Sequence, residues 1–70
     1  MYTLKYGTSI DDCNTVGVFE SEMECFKEIG EIHPNAPYLR MWGNDIITVD
    51  YGMHNSWYYI FPYKESKNNG

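Results

Sequence analysis

The fold is decided by residues 46–61, which read Ile46-Ile47-Thr48-Val49-Asp50-Tyr51-Gly52-Met53-His54-Asn55-Ser56-Trp57-Tyr58-Tyr59-Ile60-Phe61. The run 46–51 is rich in β-branched residues and the run 57–61 is almost wholly aromatic, and both compositions are typical of strands. Residues 52–56 between them contain Gly and Asn, which indicate a turn. Such a short connection favours antiparallel pairing of the two strands.

Three further strands and one helix are predicted outside this stretch. Alternation of apolar and polar residues predicts strands at 2–6, 15–19 and 38–42, with 7–14 as a polar loop. Gly17 weakens the second strand and indicates a bulge or a close approach. Ser21 and Glu24 form a capping box, with Glu24 expected to bond the amide of Ser21, and Pro34 should end the helix near His33. Its apolar stripe consists of Met23, Cys25, Phe26, Ile29 and Ile32.

The resulting order, β-β-α-β-β-β, predicts a two-layer α+β fold. A five-stranded antiparallel sheet with one helix packed on one face is the simplest way to bury the helix stripe. Seventy residues make one domain. We expect that domain to span residues 1–63, followed by a flexible polar tail at 64–70.

Alternation along the last three strands assigns their side chains to two faces. The layer expected under the helix consists of Leu39, Met41, Ile47, Val49, Tyr58 and Ile60. The opposite face would carry Tyr38, Arg40, Trp42, Trp57, Tyr59 and Phe61. No second helix is predicted to cover that face, and a broad exposed aromatic patch marks an interaction surface. The alternative is that these rings lie partly flat and form part of a small core.

Ten acidic residues against five basic ones give a net charge of -5. This balance argues against direct nucleic-acid binding, which rewards a basic surface, and permits a basic protein partner. Glu20, Glu24, Glu28 and Glu31 follow one another along one side of the predicted helix. The stripe would suit a basic channel such as that of a nucleic-acid enzyme, although a solvated helix face has the same pattern.

The sequence offers poor candidates for catalysis, metal or cofactor binding. Cys13 and Cys25 lack the spacing of a metal or redox pair, and Cys25 falls on the apolar helix stripe. An enzyme would need His54 and Asp50 to converge with a further polar group, whereas a turn histidine usually bonds nearby backbone. No signal peptide or membrane-spanning run is seen, so a cytoplasmic location is expected.

The segments Leu39-Arg40-Met41-Trp42, Val49-Asp50-Tyr51-Gly52-Met53-His54 and Trp57-Tyr58-Tyr59-Ile60 carry a resemblance to a known group. They resemble the C-terminal half of short uncharacterised proteins encoded by phages and prophages of Gram-positive bacteria. The resemblance covers residues 38–61 and implies a genomic context rather than an activity. Small acidic phage proteins often bind and block host enzymes, which by analogy include defence nucleases.

These observations predict a small binding protein that occupies a host protein surface in the bacterial cytoplasm, and no enzyme. The expected contact residues are Arg40, Trp42, Trp57, Tyr59 and Phe61 on the sheet, with Glu24, Glu28 and Glu31 on the helix. The alternative is a structural module in which the aromatic face pairs with a second copy to form a homodimer.

Overall fold

The computed structural model describes residues 1–62 of the chain, which form five antiparallel strands and one helix with their connections. The elements are β1 (Tyr2–Ser9), β2 (Asp12–Phe19), α1 (Glu22–Ile32), β3 (Arg40–Trp42), β4 (Ile47–Asp50) and β5 (Trp57–Pro62). This confirms the predicted α+β architecture with its five-stranded sheet. Tyr63 and the tail predicted at 64–70 lie outside the described residues.

The sheet has the strand order β2-β1-β5-β4-β3. Strands β3, β4 and β5 form the meander that their short connections favour. The first hairpin joins it because β1 pairs with β5, placing Leu4 opposite Ile60 and Tyr6 opposite Tyr58. The first and last strands of the described chain therefore lie side by side at the centre of the sheet.

The first hairpin is longer than the sequence predicts, so the loop expected at 7–14 is wrong. Strand β1 runs on to Ser9 and β2 begins at Asp12. Gly7 permits this pairing, since a Cβ there would lie 2.2 Å from the backbone oxygen of Asp12. The expected irregularity near Gly17 is confirmed, because the register shifts where Leu4 faces Gly17 and Lys5 faces Thr15.

Helix α1 begins and ends where its capping residues predict. Ser21 Oγ accepts a hydrogen bond from the backbone N–H of Glu24 at 3.2 Å. The Glu24 carboxylate accepts from the N–H of Glu20 at 3.4 Å, and not from that of Ser21 as a standard capping box would have it. At the other end, the N–H of His33 donates to Ile29 at 2.9 Å, directly before Pro34.

The core lies between the helix and the central strands. Its buried members are Leu4, Cys25, Ile29, Val49, Tyr51, Tyr58 and Ile60. Leu39 and Met41, expected under the helix, are instead exposed, as are Met23 and Ile32 of the predicted stripe. Leu39 and Met41 are exposed because α1, with 11 residues, packs against β1, β2 and β5, whereas β3 lies at the far edge of the sheet. Met23 and Ile32 lie at the two ends of α1.

Candidate functional site

The sheet surface turned away from the helix, which we call the open face, gathers five of the six residues that alternation predicts there, whereas Tyr38 lies outside β3. Tyr59 faces Lys5 on one side and Thr48 on the other, and Thr48 faces Trp42. Cross-strand partners share a face of a sheet. The open face therefore carries Lys5, Arg40, Trp42, Trp57, Tyr59 and Phe61.

The residues of the open face differ in accessibility. Trp42 on the edge strand β3 is 51% exposed, and Trp57 and Phe61 are half-buried. Tyr59 is only 5% exposed because it lies on the central strand β5. Burial, and to a lesser degree the nearby Cys13, raises the pKa of Tyr59. Tyr59 is therefore packed within the open face, whereas its accessible aromatic surface belongs to Trp42, Trp57 and Phe61.

Two cations also lie on the open face, of which sequence reasoning identified only Arg40. The Lys5 ammonium lies 4.9 Å from the centre of the Phe61 ring. The Arg40 guanidinium lies 5.1 Å from the centre of the Tyr38 ring and 3.6 Å from a carboxylate oxygen of Asp50. Lys5 was missed because its place depends on the pairing of β1 with β5, for which local pattern gives no signal.

The predicted glutamates lie on the other layer of the molecule. Glu24, Glu28 and Glu31 line a shallow depression of about 280 Å³ together with Phe19 and Lys27. This acidic depression lies beside α1, which packs on the covered face of the sheet. The two sets of predicted contact residues are therefore separated by the sheet and do not form one continuous surface.

A polar aromatic cluster, which the sequence analysis did not find, lies at the C-terminal end of the helix. The hydroxyl groups of Tyr6, Tyr51 and Ser56 form a triangle with oxygen–oxygen distances of 2.8 to 2.9 Å. Each hydroxyl can donate one hydrogen bond and accept another, so all three are satisfied. Hydrogen bonds from Ser56 and then Tyr51 lower the pKa of Tyr6, whereas burial raises the pKa of Tyr51.

His33 connects this cluster to the end of α1. Its Nε2 lies 2.9 Å from the hydroxyl of Tyr58, and its ring stacks on Tyr51 with centroids 4.4 Å apart. Burial raises the pKa of Tyr58 to about 12, so its hydroxyl stays protonated at neutral pH. His33 ends the helix and Tyr58 lies in β5, and only folding brings the two side chains together. Local sequence patterns therefore do not reveal their contact.

A cleft of about 320 Å³ opens beside His33 and Tyr51. Its walls come from the helix end, the Pro-rich connector and the turn after β4, and its lining consists of Ile32, His33, Pro34, Asn35, Ala36, Pro37, Tyr51, Gly52 and Met53. The lining is mainly apolar. Nε2 of His33 is hydrogen-bonded to the Tyr58 hydroxyl, and the Tyr51 hydroxyl belongs to the hydroxyl triangle. The cleft can hold a small apolar group but presents no aligned nucleophile and base.

The residues considered for catalysis do not converge. Cys25 is fully buried, and burial, with smaller effects from Glu22 and Glu24, raises the pKa of its thiol to about 11. Asp50 accepts from the N–H of Gly52 at 3.0 Å and pairs with Arg40, while His54 is exposed in the turn. Within residues 1–62, no group of three or more His, Cys, Asp or Glu side chains could hold a metal ion.

Comparison of the chain with known protein families, curated proteins and solved structures gives no match. Among residues 1–62, no helix has the length and apolar character needed to span a membrane.

Proposed function

We propose that this chain is a small binding protein of the kind that phages encode, and that it acts by docking its open face on a host protein. The observation that carries the proposal is that the only helix in residues 1–62 packs on the opposite side of the sheet. Trp42, Trp57 and Phe61 are thereby left with accessible aromatic surface. Large aromatic side chains beside an arginine are the usual anchors of protein interfaces.

The net charge of -5 supports a basic partner, such as an enzyme that acts on nucleic acids. Long-range attraction raises the rate of encounter without requiring contact between the charges. The acidic depression lies on the layer opposite the open face, so its glutamates would add to the net attraction and not contact the same partner surface.

The test is affinity capture from a bacterial lysate with matched variants, followed by mass spectrometry. Trp42→Ala should lower the affinity for the captured partner by about tenfold or more, as truncation of an interface tryptophan commonly does. Met23→Ala is the control, because Met23 is 74% exposed on the helix layer and its loss should leave capture unchanged. Capture that survives Trp42→Ala, or that fails equally with Met23→Ala, would contradict the proposal.

Charge steering has its own test, in which Glu24→Lys and Glu28→Lys are combined. The double variant should associate more slowly with the partner at low salt, and the difference should shrink as salt is raised. Light scattering after size exclusion tests the alternative role as a self-pairing module. A stable dimer that Trp42→Ala dissociates would favour that alternative over a host partner.

A further inference from the structure

Strand β2 forms the longer of the two edges of the sheet within residues 1–62. It has eight residues and pairs only with β1, whereas β3 at the other edge has three. An edge strand leaves one row of backbone N–H and C=O groups without a strand partner, and an extended segment of another chain can pair with that row. The edge of β2 is therefore the stronger candidate for such pairing.

The bulge in β2 limits where a new strand could pair. Val16 has no residue opposite it in β1, so the edge is divided into segments 12–15 and 17–19. A bulge at an edge discourages long, unspecific pairing. Val18 in the second segment is 47% exposed and lies on the open face, because its partner in β1 is Thr3. A side chain that an added strand points to the open face would contact the apolar surface of Val18.

The other side of the same segment is acidic. Phe19 ends β2 and also lines the acidic depression, whose remaining members are Glu24, Lys27, Glu28 and Glu31. A strand added beside residues 17–19 would point alternate side chains towards the helix layer, next to these carboxylates. Lys or Arg at those positions would be attracted, and Asp or Glu would be repelled.

We propose that the 17–19 edge of β2 pairs with an extended segment of a partner protein in which basic and apolar residues alternate. Charge favours this occupant over a second copy of the chain. Antiparallel pairing of β2 with its own copy would put two glutamate-lined helices on the same side of a joined sheet, between chains that each carry -5. The proposal goes beyond the proposed function, because it uses a different surface from the open face.

The test uses two short synthetic peptides, one of alternating Lys and Val and one of alternating Glu and Val, added to the full chain. Amide hydrogen exchange measured by NMR should slow about tenfold or more at residues 17–19 with the Lys-Val peptide. The Glu-Val peptide should cause no protection there. The Trp42→Ala variant should bind the Lys-Val peptide as the wild type does, so that failure of this proposal and failure of the open-face proposal are distinguishable.

A pair of charge reversals provides the matched control. Glu31→Lys should weaken binding of the Lys-Val peptide by about three- to tenfold, because Glu31 lines the depression. Asp45→Lys makes the same change in net charge at the exposed turn between β3 and β4, and should alter binding by less than about twofold. Equal binding of both peptides, equal effects of both variants, absence of protection at 17–19, or a doubling of mass through β2 would each overturn the proposal.

Discussion

At the scale of single residues, the hydroxyl triangle constrains the chain where β5 begins. Ser56 is buried and lies 2.8 Å from Tyr51 and 2.9 Å from Tyr6. It immediately precedes Trp57, the first residue of β5. Fixing Ser56 therefore fixes where β5 starts and, by alternation, which side chains reach each face.

Ser56→Ala should lower the free energy of unfolding by about 1–2 kcal/mol. The change removes one corner of the triangle and leaves the Tyr6 and Tyr51 hydroxyls with one partner fewer each. Urea denaturation measures the effect. Ser9→Ala at the exposed end of β1 is the control and should change stability by less than about 0.5 kcal/mol. Equal effects of the two variants would show that the triangle adds no stability.

Tyr58 should make the folded state sensitive to alkaline pH. Burial raises its pKa from 10.0 to about 12, so the folded protein holds this proton more tightly than the unfolded chain does. The corresponding stability is fully present below pH 10 and is lost as the pH rises towards about 12. Unfolding free energies measured across this window should fall less steeply for Tyr58→Phe than for the wild type. Parallel slopes would contradict the buried, protonated state of Tyr58.

At the scale of elements, the turn between β4 and β5 is held by the Pro-rich connector that follows the helix. Gly52 has a φ of +103°, a conformation that L side chains rarely adopt. A Cβ at Gly52 would lie 2.8 Å from Cγ of Pro37. The close contact joins two walls of the cleft, so the turn and the connector should lose their order together.

Gly52→Ala should therefore destabilise the protein by about 1–3 kcal/mol, through both the backbone conformation and the contact with Pro37. Gly30→Ala provides a control of opposite sign. Gly30 lies within α1, and a Cβ there would meet no atom within 4 Å. Replacing a helical glycine by alanine should stabilise the protein by about 0.5–1 kcal/mol. Thermal denaturation of both variants checks the prediction, and a neutral Gly52→Ala would contradict it.

Local pattern was sufficient to predict that each element exists and that the helix packs on one face of a five-stranded antiparallel sheet, but not the length of the first hairpin or the strand order. The capping serine and Pro34 predicted the helix, and period-two alternation assigned Trp42 and Tyr59 to one face. The pairing of β1 with β5 depends on contacts distant in sequence, so the position of Lys5 and the triangle around Ser56 could not be predicted. The failure at Leu39 and Met41 has the same origin, because their burial depends on how far the helix reaches across the sheet.

At the scale of the whole molecule, the acidic depression and the aromatic open face lie on different layers. One layer presents the acidic depression, and the other presents Lys5, Arg40 and the accessible rings of the open face. The separation gives the two surfaces different roles, since no flat partner surface can contact both at once. We propose docking on the open face, and a separate role for the glutamates in attracting a basic partner or in holding a segment at the edge of β2.

The most direct test of this account is oxidative footprinting of Trp42 and Met23 in the same sample, before and after the captured host protein is bound. Both side chains are more than half exposed, and they lie on opposite layers. The account predicts that both are oxidised readily in the isolated protein at every concentration, and that the partner protects Trp42 while Met23 stays reactive. Protection of Met23 with Trp42 still reactive, or a Trp42 already protected in the isolated chain, would contradict the claim that the open face is the docking surface.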